Sequence, residues 1–191
     1  MKVVPWKDVE GGPLTLVREI RSDNRGSFEM LFQKEVLANF GITRFAFNQV
    51  NLIRSGIYSL RGFHGSEFEN NHWKIITVVK GSVIEAALDL RNSSKDYSSV
   101  MWKIVKAKDK NSIVIPPGFA HGFQALEKNT QIIYATNIEY SQNSEFEISP
   151  INELDDYFWR KDPILSNRDL NAPNFSKWHE RKKFDIRVNK Q

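Results

Sequence analysis

The sequence of 191 residues contains no cysteine. Thiol catalysis, Cys-ligated zinc and iron–sulfur clusters are therefore excluded for this chain. A chain of this length buries about two-thirds or more of its unfolded surface, so it can fold without disulfides. The lack of cysteine fits a reducing compartment. No stretch approaches the roughly 18 apolar residues of a membrane-spanning helix. The opening MKVVPWKDVEGG lacks the apolar core of a secretory signal. A soluble cytoplasmic protein with no membrane partner is expected. Repeats, low-complexity tracts and linkers are also missing, and the length suits one domain over residues 1–191. Charge of one sign is scarce: 27 basic residues face 23 acidic ones, for a net +4. Lys177, Arg181, Lys182, Lys183, Arg187 and Lys190, against Glu180 and Asp185, supply that whole excess. The rest of the chain is formally neutral, so no nucleic-acid partner is expected and an anionic ligand must meet a local site. The basic end, part of an extension over 174–191, reads as a solvated terminal segment.

With 40% hydrophobic and 26% charged residues, the composition is that of an ordinary globular protein. Its middle reads as strands. From Arg44 to Ile53, Phe45, Phe47, Gln49 and Asn51 fall on one side, against Ala46, Val50 and Leu52 on the other. Short β-branched runs follow at Lys74–Lys80, Ser82–Leu90, Val100–Val105, Asn111–Ile115 and Thr130–Thr136, punctuated by Gly, Pro, Asn and Ser. The join at Lys80-Gly81 signals a hairpin. Helix is sparse: one or two turns over Lys34–Asn39, and short helices and loops in 150–180. Many short strands at this spacing predict a mainly β fold, a jelly-roll barrel with short helices and loops at its C-terminal end.

Of the four histidines, two stand in informative contexts. His64 closes Leu60-Arg61-Gly62-Phe63-His64. His121 lies in Pro116-Pro117-Gly118-Phe119-Ala120-His121, and this Pro-x-Gly-x-x-His stretch resembles the second cupin motif. A metal-binding cupin usually adds His-x-His and a Glu in its first motif. Here Gly65 and Ser66 follow His64, and the next histidine, His72, lies eight residues on. No metal is expected, which leaves His64 and His121 as acid/base candidates.

An ordered set sharpens the resemblance: Asp23-Asn24-Arg25-Gly26-Ser27-Phe28, Gln49-Val50-Asn51, Arg61-Gly62-Phe63-His64, Lys74, Gly118 to Phe123, Tyr134, Tyr140 and Ser166-Asn167-Arg168-Asp169. In order and spacing it resembles the dTDP-4-dehydrorhamnose 3,5-epimerase family, metal-free cupins acting on nucleotide-linked 4-keto sugars. The likeness spans roughly Asp23 to Pro173. It implies a cofactor-independent isomerase that inverts C3, C5 or both by removing a proton next to a ketone, in deoxysugar and surface-polysaccharide biosynthesis. It also implies a homodimer in which each copy completes the other's nucleotide site.

That chemistry needs a base, a proton donor on the opposite face and a group to hold the enolate. The resemblance casts His64 as base, since imidazole titrates near neutrality, with Asp169 fixing its tautomer. Lys74 would hold the enolate oxygen. Tyr134, a phenol with a pKa of about 10, would return the proton. Arg25, Arg61 and Arg168 would grip the diphosphate through their planar donor forks. Gln49 and Asn51 share one strand face and would point into the barrel. His121 would meet a sugar hydroxyl, and Phe28 and Tyr140 would complete the substrate-binding wall.

Two positions depart from the family pattern. A Glu usually stands four residues after the Gly of the Asp-x-Arg-Gly stretch; here Met30 does, with Glu29 one place earlier and so on the opposite strand face. This leaves the nucleotide base open. An aromatic residue and Gln commonly follow the His; here Gly65 and Ser66 do, which leaves the sugar open. Competing readings are a 3,4-ketoisomerase, a non-catalytic sugar-nucleotide-binding cupin and a metal-dependent cupin dioxygenase.

Overall fold

The computed structural model describes residues 1–6, 9–39, 42, 46–66, 71–141, 144–151, 158–160 and 162–181. The β-branched runs form strands where pleated surfaces can pack them. In chain order the elements are β1 (Lys2–Pro5), β2 (Leu14–Val17), β3 (Ile20–Asp23), β4 (Gly26–Glu29), α1 (Lys34–Ala38), β5 (Gln49–Ser55), β6 (Leu60–Ser66) and β7 (Lys74–Lys80). There follow β8 (Ser82–Asp89), β9 (Val100–Lys106), β10 (Asn111–Ile115), β11 (Phe119–Ala125), β12 (Thr130–Thr136), β13 (Glu145–Glu147), α2 (Asn167–Leu170) and α3 (Phe175–Arg181). Among the described residues they make an antiparallel six-stranded sheet, β1-β2-β10-β7-β12-β5, and a five-stranded one, β13-β6-β11-β8-β9. A separate two-stranded hairpin joins β3 to β4. The inner faces share one core, with Ile76, Ile113 and Ile132 from the first sheet and Val83, Met101 and Phe123 from the second. This is the cupin jelly roll.

Strand β8 shows why Ser82–Leu90 carries apolar residues on both of its faces. Val83 and Ala87 join the interior, while Ile84, Ala86 and Leu88 pack beneath Phe158, Trp159 and Trp178 of the C-terminal segment. That segment is pinned to β6 by paired backbone bonds between Phe63 and Ile148, both 2.9 Å, and by a parallel bridge between Ser59 and Ile164.

The hairpin expected at Lys80-Gly81 does not form. β7 pairs with β10 and β12, whereas β8 pairs with β11 and β9, so Gly81 turns the chain from one sheet into the other. The strand expected from Arg44 begins at Gln49; Arg44 and Phe45 lie outside the described residues, as do Lys182, Lys183, Arg187 and Lys190 of the basic end. Strands β6 and β11 are rich in His and Gly, so β-propensity alone understates them.

One irregularity positions the site. Arg61 pairs with Phe123 and His64 with His121, so Gly62 and Phe63 together oppose Gly122. Residues three apart on a regular strand face opposite sides. The bulge turns Arg61 and His64 to the same side, that of His121 and Phe123. Gly62 has φ 111°, and a Cβ there would lie 2.5 Å from the Gly122 Cα. The bulge therefore requires glycine.

Candidate active site

His64 stands 31% exposed on the inner side of β6, and its Nε2 lies 2.8 Å from Asp169 Oδ1. Asp169 is buried in the first turn of α2. Ser166 caps that turn: its Oγ accepts from the Asp169 amide at 3.2 Å and donates to Oδ2 at 2.6 Å. The first bond satisfies an amide that the helix start would otherwise leave unpaired. Burial works against ionisation of Asp169. Hydrogen bonds from His64, Ser166 and the Gly62 amide outweigh it and hold the pKa below the ordinary value. An ionised Asp169 accepts, so His64 donates through Nε2–H and keeps its lone pair on Nδ1.

Lys74 opens β7 on the facing sheet. Its buried Nζ donates to the His64 carbonyl oxygen at 2.9 Å. Burial lowers its pKa to about 8, against the pull of Glu145 and Glu85. His121 places Nδ1 3.1 Å from Glu85 Oε1. Burial pushes the Glu85 carboxyl up and the His121 imidazole down, and Lys74, His64 and His72 further disfavour a charged His121. Both shifts disfavour the charged forms at this contact, although its geometry is that of an ion pair. The His121 ring stacks on Tyr134, with centroids 5.7 Å apart. Burial raises the Tyr134 phenol, with Glu145 and Glu85 adding to the effect.

A cavity of about 70 Å³ opens beside this cluster, lined by Gln49, Asn51, His72, Tyr134, Tyr140 and Glu145 among others. Gln49 Nε2 donates to Asn51 Oδ1 at 3.1 Å, and Gln49 Oε1 accepts from the Tyr140 amide at 2.7 Å. Arg168 donates to the Tyr140 hydroxyl at 3.3 Å and pairs with Glu145 and Glu147. Among the described residues no group of three potential ligands could hold a metal ion.

The structure thus joins His64, Asp169, Lys74, His121 and Tyr134 through contacts, and gathers Gln49, Asn51, Tyr140 and Arg168 at the cavity. Arg61 is exposed on the same strand side as His64. Arg25 and Phe28 stand apart on the β3–β4 hairpin, where Arg25 pairs with Asp23 and Phe28 is 69% exposed. Glu29 is engaged by Arg18 and Lys110.

The departure at Gly65 has a packing reason. A Cβ there would lie 2.2 Å from the Phe146 ring, so Phe146 of β13 leaves no room for a side chain at this position. Sequence reasoning passes over Glu85, Glu145 and Glu147, gives Ser166 no role and does not place His72. The Ser166-x-x-Asp169 spacing is a readable cap, and Glu85 is one of two charges in a largely apolar run; the others carry no local signal.

A family model described as dTDP-4-dehydrorhamnose 3,5-epimerase matches residues 11–177. The chain belongs to that family. It is 30% identical over 158 residues to the dTDP-4-dehydrorhamnose 3,5-epimerase of Shigella flexneri, covering 82% of this chain and 87% of that protein. The crystal structure of the Mycobacterium tuberculosis epimerase superposes with a TM-score of 0.85 at 28% identity, over 95% of this chain and 92% of that one. A 4-keto-6-deoxy sugar epimerase from the novobiocin gene cluster of Streptomyces spheroides shares the fold: TM-score 0.88, 24% identity, 95% of this chain and 90% of that one. Membership makes the chain an isomerase, a nucleotide-sugar epimerase, rather than a dioxygenase or a binding module.

Proposed function

We propose that the chain epimerises a nucleoside-diphosphate-linked 4-keto-6-deoxy sugar at C3, C5 or both. The observation that carries this reading is the His64–Asp169 pair, built from β6 and α2, with Tyr134 on the other sheet and Lys74 of that same sheet reaching the His64 carbonyl. A sugar ring held between the sheets meets a base on one face and an acid on the other. His64 Nδ1 takes the proton from the carbon next to the ketone. The C–H electron pair moves into the carbonyl to give an enolate, and the Lys74 ammonium stabilises its oxygen. Tyr134 gives its proton to the opposite face of the carbon. Solvent then returns a proton to the phenolate and removes one from His64. Arg61 and Arg168 meet the diphosphate, while Gln49, Asn51, His121 and Tyr140 bind sugar and base. No cofactor takes part in this reading.

Arg25 and Phe28 act in the site of a second copy. Phe28 is exposed on a projecting hairpin, and Val50 and Leu52 are 58% and 48% exposed on the outer face of β5. A homodimer would cover both features. The single domain over 1–191 and the cytoplasmic location belong to the same proposal.

The test is turnover of dTDP- and GDP-linked 4-keto-6-deoxy sugars in deuterated water, read by mass and NMR. Deuterium at C3 or C5 with inversion is expected. A ketone moved to C3 would replace the reading with ketoisomerisation, and no exchange with any nucleotide sugar that binds would overturn it.

A further inference from the structure

Helix α2 carries the partner of the proposed base, yet it puts almost nothing into the core. Of Asn167, Arg168, Asp169 and Leu170, Asp169 alone is buried, and even Leu170 is exposed. A single helical turn does not support itself in water. The chain is anchored on either side of it: Ile164 bridges to Ser59, and the Ser149 amide donates to the Pro173 carbonyl at 2.8 Å. The Ser166 cap holds the turn together internally but does not tie it to β6. Between the two anchors, that tie comes from the polar side chains of Arg168 and Asp169.

These adjacent residues reach two residues that are themselves paired. Asp169 meets His64 on β6. Arg168 donates through Nε to Glu147 on β13, the residue opposite His64 in the β13–β6 ladder. Glu145 stands two places before Glu147, on the same face of β13; it lines the cavity and lies 3.5 Å from Arg168 Nη2. Tyr140, also at the cavity, accepts from Nη1 at 3.3 Å. Glu147 is thus the contact that ties the guanidinium to the residue opposite the base. Without it Arg168 is held only by groups that line the cavity, and α2 keeps one side-chain tie to the ladder instead of two.

We propose that Glu147 is a positioning residue: by holding Arg168 it braces α2 on β13 and keeps Asp169 in place against His64. The imidazole then stays in the tautomer that leaves Nδ1 free for the substrate. The proposal rests on the reading of the His64–Asp169 pair as the base. A displacement of about 1 Å at such a pair is enough to cost up to about 10²-fold in rate.

Glu147→Leu removes the acceptor, whereas Glu147→Gln keeps an oxygen for the Arg168 Nε–H without the charge. The first readout needs no turnover. Long-range proton–nitrogen NMR of the neutral His64 ring should show one tautomer in the wild type, with the proton on Nε2. Glu147→Leu should show a mixture of both tautomers, and Glu147→Gln an intermediate state. His121, whose ring contacts Glu85 instead, should keep its shifts in both variants. In turnover, Glu147→Leu should lose about tenfold or more in kcat and Glu147→Gln about two- to threefold, with KM changed less than about twofold. Circular dichroism checks folding, and Glu147→Gln, close in size and shape, carries the test if Glu147→Leu does not fold. A mixed His64 tautomer in the wild type, or an unchanged tautomer and kcat in a folded variant, would overturn the proposal. So would a loss of nucleoside-diphosphate affinity with kcat intact, which would put Glu147 in service of the diphosphate. Failure of the epimerase reading appears separately, as absent deuterium exchange in a wild type whose His64 carries its proton on Nε2.

Discussion

At His64 the deciding neighbour is 105 residues away in the chain. Asp169→Asn replaces an acceptor with an amide that can donate to Nε2, which displaces the proton to Nδ1 and removes the base. We expect kcat to fall by about 10³–10⁴, as in His64→Ala, with circular dichroism and nucleotide affinity retained. Tyr134→Phe should still wash deuterium into the substrate but invert it about 10²-fold more slowly; NMR separates the two rates. Lys74 opposes stability to activity. Its folded pKa of about 8 lies below the ordinary 10.5, so between these values the unfolded chain binds more protons and stability rises with pH. Below about pH 8 the buried ammonium carries its full penalty, on the order of 3 kcal/mol. Lys74→Met should raise the melting temperature by several degrees at pH 7 while lowering kcat about 10²-fold or more. In the wild type, activity should decline as pH rises through about 8, where the ammonium is lost.

At the scale of elements, β6 is shaped by what lies across from it. Its bulge aligns Arg61 with His64 and directs the Gly62 amide to Asp169. Gly65 makes room for Phe146, which packs with Trp178 at a centroid distance of 5.1 Å. Gly65→Ala should cost about 1–3 kcal/mol by overpacking. Phe146→Leu in that background should recover part of the loss, so the two changes should be non-additive in denaturant titrations. Additive losses would mean that β13 does not set the space behind His64. The Gly62–Phe63 bulge and the Gly65–Phe146 contact are illegible locally, because each depends on a partner strand.

For the molecule as a whole, the detached hairpin is the informative feature. If Arg25 serves a second copy, Arg25→Ala and His64→Asn proteins, each poorly active alone, should recover about a quarter of wild-type activity when mixed and allowed to exchange subunits. In the heterodimer one site carries both defects and the other none. No recovery would place Arg25 in its own subunit's site or outside the reaction.

The ordered residues from Asp23 to Asp169 determined the family and the barrel, because β-branched runs, turn formers and reactive side chains at set positions are local properties of the chain. The bounds of β7, β10 and β12 follow from such runs. Tertiary structure alone decided the rest. It made Gly81 a corner between sheets rather than a hairpin, since strand partnership is a non-local choice. It tied up Glu29 in ion pairs and set the Phe146 ring against Gly65. Each of these depends on which atoms lie across a gap of a few ångströms, and that distance is set by the folding of remote segments against one another.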